Sequence, residues 1–183
     1  MPKSHNQRQQ IIDAALHLFA VRGYASTPIS LIAEQAKVSQ GLMYNFFISK
    51  EDLLREVIYQ GFKDIEESLK PYSDKSLPPH AAIEMHVNKT FEIIREKNEY
   101  WRLLHTIRLQ EKAARPMKQI FSEMVEHVTK IFSEVFKSLG FKHPNLEAIL
   151  FLSQIDGLAM LYLQDRTIPI EKLSRQIIQR YKQ

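Results

Sequence analysis

The sequence predicts an all-α protein, with an N-terminal three-helix helix-turn-helix domain of homeodomain-like type and a larger C-terminal helical domain. Three observations lead there. Apolar residues recur at i, i+3, i+4 and i+7 through almost all of the 183 residues, the period of one helix face. No segment sustains the alternation of apolar and polar residues that marks a half-buried strand. Between Ile11 and Leu54, three short amphipathic segments are parted only by breaks at Gly23 and at Lys37-Val38-Ser39, the spacing of a helix-turn-helix.

The first helix is expected over Asn6–Arg22, where Ile12, Ala15, Leu16 and Phe19 form one stripe and Gly23 can close the end in the left-handed conformation. Thr27 then reads as an N-cap and Pro28 as the first helical residue, with Ile29, Ile32, Ala33 and Ala36 as the inward stripe of a second helix. Ser39 is the next cap. A third helix runs from about Gln40 to Phe47, with Met43, Phe46 and Phe47 inward and Gln40, Gly41, Leu42, Tyr44 and Asn45 mainly outward. Ser49 followed by Asp52 resembles a capping box, and Leu54, Ile58, Phe62 and Ile65 mark a long fourth helix that should stop before Pro71. Residues 71–79, with three prolines, two serines and no periodicity, read as a linker. Further helices are expected near Ala81–Lys97, Tyr100–Ala113, Pro116–Leu139, Asn145–Gln164 and Ile170–Tyr181, with Gly140, Pro144 and Pro169 as breakers. The resulting division is a helix-turn-helix domain over 1–48, a connecting helix over 49–70, and a domain for effector binding and dimerisation over 71–183.

Composition narrows the chemistry. With 44% hydrophobic residues the chain can bury a real core. The absence of Cys excludes disulfides, thiolate metal sites and thiol nucleophiles, which suits a reducing compartment and a cytoplasmic location. No apolar run reaches the roughly 18 to 20 residues that span a bilayer. The longest, Ala148–Leu163, contains Ser153, Gln154 and Asp156 and reads as a buried helix, so no membrane partner is expected. The net charge of +4 is unevenly placed: residues 1–50 hold five Lys or Arg against two acids, and the remainder 20 against 19. A basic segment on a near-neutral body suits a small nucleic-acid-binding module carried by a larger domain.

In a helix-turn-helix, the second helix of the pair presents its N-terminal residues to base edges. Here Ser39 and Gln40 open that helix. Gln40 can bond adenine through two hydrogen bonds and Leu42 can touch a thymine methyl, whereas Tyr44, Asn45 and Thr27 suit phosphate oxygens. Gly41 permits close approach to the duplex, and Lys50 at the start of the fourth helix offers an ammonium to a phosphate.

These residues resemble the DNA-binding domain of the TetR family of bacterial transcriptional regulators. The resemblance is carried by Arg8, Ile11, Ala14-Ala15, Leu18-Phe19, Gly23-Tyr24, Thr27, Ile32-Ala33, Ala36, Val38-Ser39, Gly41, Tyr44, Phe47, Ser49-Lys50-Glu51 and Leu53-Leu54. It implies an all-helical homodimer on palindromic double-stranded DNA, a repressor by default, whose C-terminal domain binds a small-molecule effector. It also implies phosphate contacts from the positions of Thr27, Tyr44, Asn45 and Lys50, and base reading from those of Gln40 and Leu42. Three departures stand out: Lys37 where the family usually has Gly, Asn45 where it often has His, and Pro28 where it often has Ser or Thr. Lys37 requires either a different turn or a left-handed lysine.

The C-terminal half is less specific. Helix Asn145–Gln164 is apolar nearly all round and needs a cover beyond one chain. With the stripe of the last helix it suggests a four-helix dimer interface through Phe151, Ile155, Leu158, Tyr162, Leu173 and Ile177. Trp101, His105, Phe121, Met124 and Gln154 are the candidate lining of an effector pocket, apolar with a few polar groups. No cofactor is expected, and no enzyme either: there is no Gly-rich phosphate loop and no His-Glu-x-x-His pair. His80 and His86 could join an acid at a metal only by chance spacing. The competing reading is a helical dimer that uses the N-terminal module for protein contacts and no longer reads DNA.

Overall fold

The computed structural model describes residues 3–73, 77–96, 98–109 and 117–182. Among the described residues the ordered elements are helices: α1 Lys3–Arg22, α2 Ile29–Gln35, α3 Gln40–Phe46, α4 Lys50–Ser73, α5 Pro79–Glu96, α6 Asn98–Leu109, α7 Lys118–Ser138, α8 Pro144–Gln164 and α9 Ile170–Arg180. They fall into two compact units, Met1–Asp64 with Glu99–Lys118, and Ile65–Asn98 with Gln119–Gln183. The expected end of the sixth helix near Ala113 and the start of the seventh at Pro116 lie outside the described residues.

In the first unit, α1, α2 and α3 enclose a small core of Ile11, Ala15, Phe19, Ile32, Ala33, Met43 and Phe47, joined by Leu53, Leu54 and Ile58 of α4. Gly23 takes φ 83° and its N–H meets the Phe19 carbonyl at 3.1 Å, the left-handed stop expected of it. The Arg8 guanidinium grips both Glu56 carboxylate oxygens, at 3.1 and 2.9 Å, and lies 5.2 Å over the Phe47 ring, tying α1 to α4. The first turn of α6 belongs here as well. Tyr100 is buried, its hydroxyl donates to the Ile58 carbonyl at 3.0 Å, and its ring lies so close to Gly61 that a Cβ there would overlap it. Glu99 accepts from His17 at 2.7 Å on the same side.

In the second unit α9 packs on α5, and α8 packs on α5 as well. Its centre is aromatic. Phe132 lies 4.9 Å from Phe151, Phe136 lies 5.0 Å from Tyr181, and His86 sits 4.6 Å from Phe132. Burial pushes His86 down to about 4, so its ring is neutral. Burial first, then the Glu147 carboxylate that accepts its hydroxyl at 2.8 Å, pushes Tyr181 up to about 12. Gly140, at φ 82°, closes α7, and the Phe141 N–H returns to the Phe136 carbonyl at 3.0 Å.

Three expectations about the elements are corrected. Helix α4 runs through Pro71 to Ser73, because a proline so near a helix end removes one backbone donor where few bonds remain to be lost. Thr27 is not a cap: α2 begins at Ile29 after Pro28, which supplies no side-chain bond, and the Thr27 hydroxyl turns inward. Helix α8 is neither short of spanning length nor buried. By length and composition it is apolar enough to cross a membrane, because Ser153, Gln154 and Asp156 do not offset its aliphatic content, and only 28% of its most apolar window is buried.

Candidate nucleic-acid interface

Helix α3 is seven residues long and is held at its start by the Ser39 hydroxyl, which accepts the Leu42 N–H at 3.1 Å. Met43 anchors it and Phe47 follows, both buried, while Phe46 and Leu42 are half-buried. Gln40, Gly41, Tyr44 and Asn45 are exposed, Tyr44 by 54%. A Cβ at Gly41 would meet nothing within the protein, so no internal contact demands glycine and the backbone there is open to a partner. The turn ahead of the helix holds Lys37 at φ 56°, the left-handed lysine that was one of two expectations. The turn closes through Lys37 N–H to Glu34 and Val38 N–H to Ala33, each at 3.0 Å.

Lys50 opens α4 beside the turn between α1 and α2. Its ammonium donates to the Ala25 carbonyl at 3.3 Å and stands 4.6 Å over the Tyr24 ring, and partial burial lowers its pKa. Ser49 accepts the Asp52 N–H at 3.0 Å, and the Asp52 carboxylate accepts the Ile48 N–H at 3.2 Å, a cap shifted by one residue from the expected box.

Thr27 leaves the set. It is fully buried, and its hydroxyl donates to the Gly23 and Leu18 carbonyls at 2.8 and 3.3 Å. One carbonyl lies near the end of α1 and the other just past it, so the side chain braces the turn instead of facing a phosphate. Two residues escaped the sequence reading. Tyr24 was only a motif position, and its contact with Lys50 joins residues 26 apart. Ile48 is 86% exposed between buried Phe47 and Ser49, a position that periodicity does not address because it follows the helix.

The residues expected at a dimer interface separate. Phe151, Ile155 and Ile177 are buried within the chain's own second unit, whereas Leu158, Tyr162 and Leu173 are half-buried. The buried stripe of α8 is Ala148, Phe151, Ile155, Ala159 and Leu163, which turns Leu146, Ile149, Leu150 and Leu161 outward, at 59, 45, 58 and 50% exposure. A groove of about 490 Å³ follows this side, with Gly157, Leu158, Leu161 and Leu173 along it. The expected pocket residues are also divided: Trp101 and His105 belong to the first unit, and Phe121, Met124 and Gln154 to the second. Gln154 lines the α8–α9 groove, where Arg180 donates to its side-chain oxygen at 3.1 Å. Phe121 is buried and Met124 half-buried. Among the described residues, no group of three His, Cys, Asp or Glu could hold a metal.

A short capped helix with exposed polar side chains, following a tight turn between helices, is the geometry of a helix-turn-helix module. Residues 11–57 match the profile of "Bacterial regulatory proteins, tetR family". Over that segment the chain is similar to the DNA-binding domain of TetR-family transcriptional regulators. Over 184 aligned residues it is 25% identical to the uncharacterized HTH-type transcriptional regulator YxaF of Bacillus subtilis, covering 97% of this chain and 96% of that one. Its fold is that of the regulator FadR of Bacillus subtilis, solved in complex with stearoyl-CoA (TM-score 0.79, 22% identity, 94% and 96% of the two chains). It is likewise that of NalD, the secondary repressor of the MexAB-OprM multidrug efflux pump of Pseudomonas aeruginosa (TM-score 0.81, 18% identity, 98% and 96%).

Proposed function

We propose that the protein is a homodimeric repressor that binds a palindromic operator and is controlled by a small-molecule effector. The observation that carries this reading is α3, capped by Ser39 and exposing Gln40, Tyr44 and Asn45 together. Gln40 and Leu42 read bases, Gly41 admits the backbone to the groove, and Ser39, Tyr44, Asn45 and Lys50 meet phosphates. Residues 1–48 form the reading domain, 49–70 the connecting helix, and 71–183 the region for effector and dimer. The second copy covers the outward face of α8, with Leu146, Ile149, Leu150 and Leu161 joined by Leu158, Tyr162 and Leu173, because an apolar face of that kind calls for protein cover.

The twofold axis sets two copies of α3 into successive major-groove faces. An effector that binds the non-binding arrangement better by about 1–3 kcal/mol shifts their separation and releases the operator. Trp101 supports the effector reading: its indole N–H is buried with no acceptor among the described residues, which a ligand oxygen would supply. Since FadR is in complex with stearoyl-CoA, a long-chain acyl-CoA is the first effector to try.

The test is selection of bound sequences from a random duplex pool by the purified protein at two salt concentrations, which separates specific from electrostatic binding. An enriched palindrome, weakened by Gln40→Ala with relaxed base preference, is the expected result. A folded protein that enriches nothing ends this reading. Trp101 is the sole tryptophan, so its emission reports directly on added acyl-CoA.

A further inference from the structure

We propose that Tyr24 is a positioning residue for DNA binding: its ring holds the Lys50 ammonium in place for a phosphate. The inference rests on the phosphate contact of Lys50 proposed above. A lysine at the surface samples many rotamers, and each contact it makes must first overcome that freedom. Lys50 is not free in this way. Its ammonium stands 4.6 Å over the Tyr24 ring and 3.3 Å from the Ala25 carbonyl, so one side chain links the start of α4 to the turn that ends α1.

The platform is itself held. Tyr24 meets the fully buried Phe19 edge-on at 5.2 Å, and the left-handed Gly23 fixes the turn that carries it. An ammonium has three N–H donors. The Ala25 carbonyl takes one and the ring face another direction, which leaves a donor pointed away from both. Partial burial has already removed part of the ammonium's water, as the lowered pKa of Lys50 records, and a phosphate oxygen would restore what was lost. The neighbouring Glu51 is paired with Arg55 at 3.5 Å. A preset cation meets its phosphate without the ordering cost that a mobile lysine carries.

The experiment is a double-mutant cycle on the operator duplex, with Tyr24→Phe, Tyr24→Leu, Lys50→Met and the Tyr24→Leu/Lys50→Met pair measured from 50 to 200 mM salt. Lys50→Met should reduce the slope of log K against log salt by about 1.8, the signature of two lost phosphate contacts, one from each protomer of the dimer. Tyr24→Leu should weaken operator binding about five- to thirty-fold, the magnitude of one exposed cation–π pair lost from each protomer, while Tyr24→Phe binds as the parent does. In the Lys50→Met background, Tyr24→Leu should have no further effect. An equal loss in both backgrounds would show that Tyr24 acts through the fold alone and would overturn the proposal, leaving the Lys50 contact standing. An unchanged slope in Lys50→Met would instead remove the phosphate contact, and the inference with it. Should Tyr24→Leu fail to fold, a series of fluorinated phenylalanines at position 24 keeps the ring's shape while draining its face of negative charge. Stepwise loss of affinity along that series supports the positioning role, and a flat series refutes it.

Discussion

Helix α3 and helix α8 both leave much of their surface uncovered, but the uncovered chemistry is opposite. Seven-residue α3 buries only Met43 and shows Gln40, Tyr44 and Asn45, groups that hydrogen-bond. Twenty-one-residue α8 buries five side chains and still shows Leu146, Ile149, Leu150 and Leu161, groups that water penalises. The polar face suits a hydrated, charged partner and the apolar face suits another protein surface. The difference teaches that what a helix leaves exposed, more than what it buries, indicates which kind of partner completes it.

The largest effect should come from breaking the α8 side of this comparison. Leu150→Lys combined with Leu161→Lys places two ammonium groups on the outward face, at positions 58 and 50% exposed in the single chain. The monomer should keep its helix content, because neither side chain is in its core. Light scattering should find half the parent mass at micromolar concentration, and operator affinity should fall by orders of magnitude because the two half-sites are no longer read together. Parent mass in this variant would mean that the apolar face is not the interface.

The second prediction concerns the core beneath α8. His86 ordinarily titrates near 6.5, and burial pushes it down to about 4 in the folded chain. Above 6.5 both folded and unfolded states are neutral there and stability is complete. Between 6.5 and 4 the unfolded chain takes up a proton that the folded chain refuses, so stability falls as pH falls, by up to about 1.4 kcal/mol per unit. The loss approaches an order of 3 kcal/mol at the lower end. Urea unfolding at pH 7 and pH 4.5 should show a smaller pH difference in His86→Leu than in the parent. Equal pH dependence in both would place the titrating group elsewhere.

The two helices also differ in how far the sequence discloses them. The start of α3 follows from local chemistry: Ser39 can cap, Gly23 can turn left-handed, and Lys37 in a glycine position leaves few geometries. Each was legible because cause and effect lie within four residues. Thr27 was misread because the same hydroxyl can cap the following helix or satisfy the preceding one, and only the packed end of α1 decides between them. In α8 the apolar residues go all the way round, so periodicity carries no direction, and Phe151 and Ile155 were taken for outward residues when they are core. The seating of Tyr100 on α4 joins residues 39 to 42 apart, with no local signal.

That seat supplies the third prediction. Gly61→Ala would drive a methyl into the Tyr100 ring, and relief would require the ring to leave its bond to Ile58. Against the gain in helix propensity of about 1 kcal/mol, overpacking of this kind costs about 1–3 kcal/mol and the lost buried bond about 1 more. Urea unfolding should therefore show a net loss of about 1–3 kcal/mol, and Tyr100→Phe should lose about 1 kcal/mol without the clash. A Gly61→Ala variant more stable than the parent would show that α6 yields freely at this point, and the first unit would then be held together by α1 to α4 alone.

The smallest effect tests whether the turn before α3 carries strain. Lys37 at φ 56° brings its Cβ toward the following carbonyl, at a cost of roughly 1–2 kcal/mol. Glycine escapes that cost but brings an unfolded chain with more freedom to lose, worth about 0.5–1 kcal/mol the other way. The difference favours glycine, so Lys37→Gly should raise stability by about 0.5 kcal/mol, read as a higher urea midpoint at unchanged slope. A lower midpoint would mean that the lysine stem, not the backbone, decides the balance at this turn. A higher one would mean that the chain carries backbone strain at the turn that precedes α3.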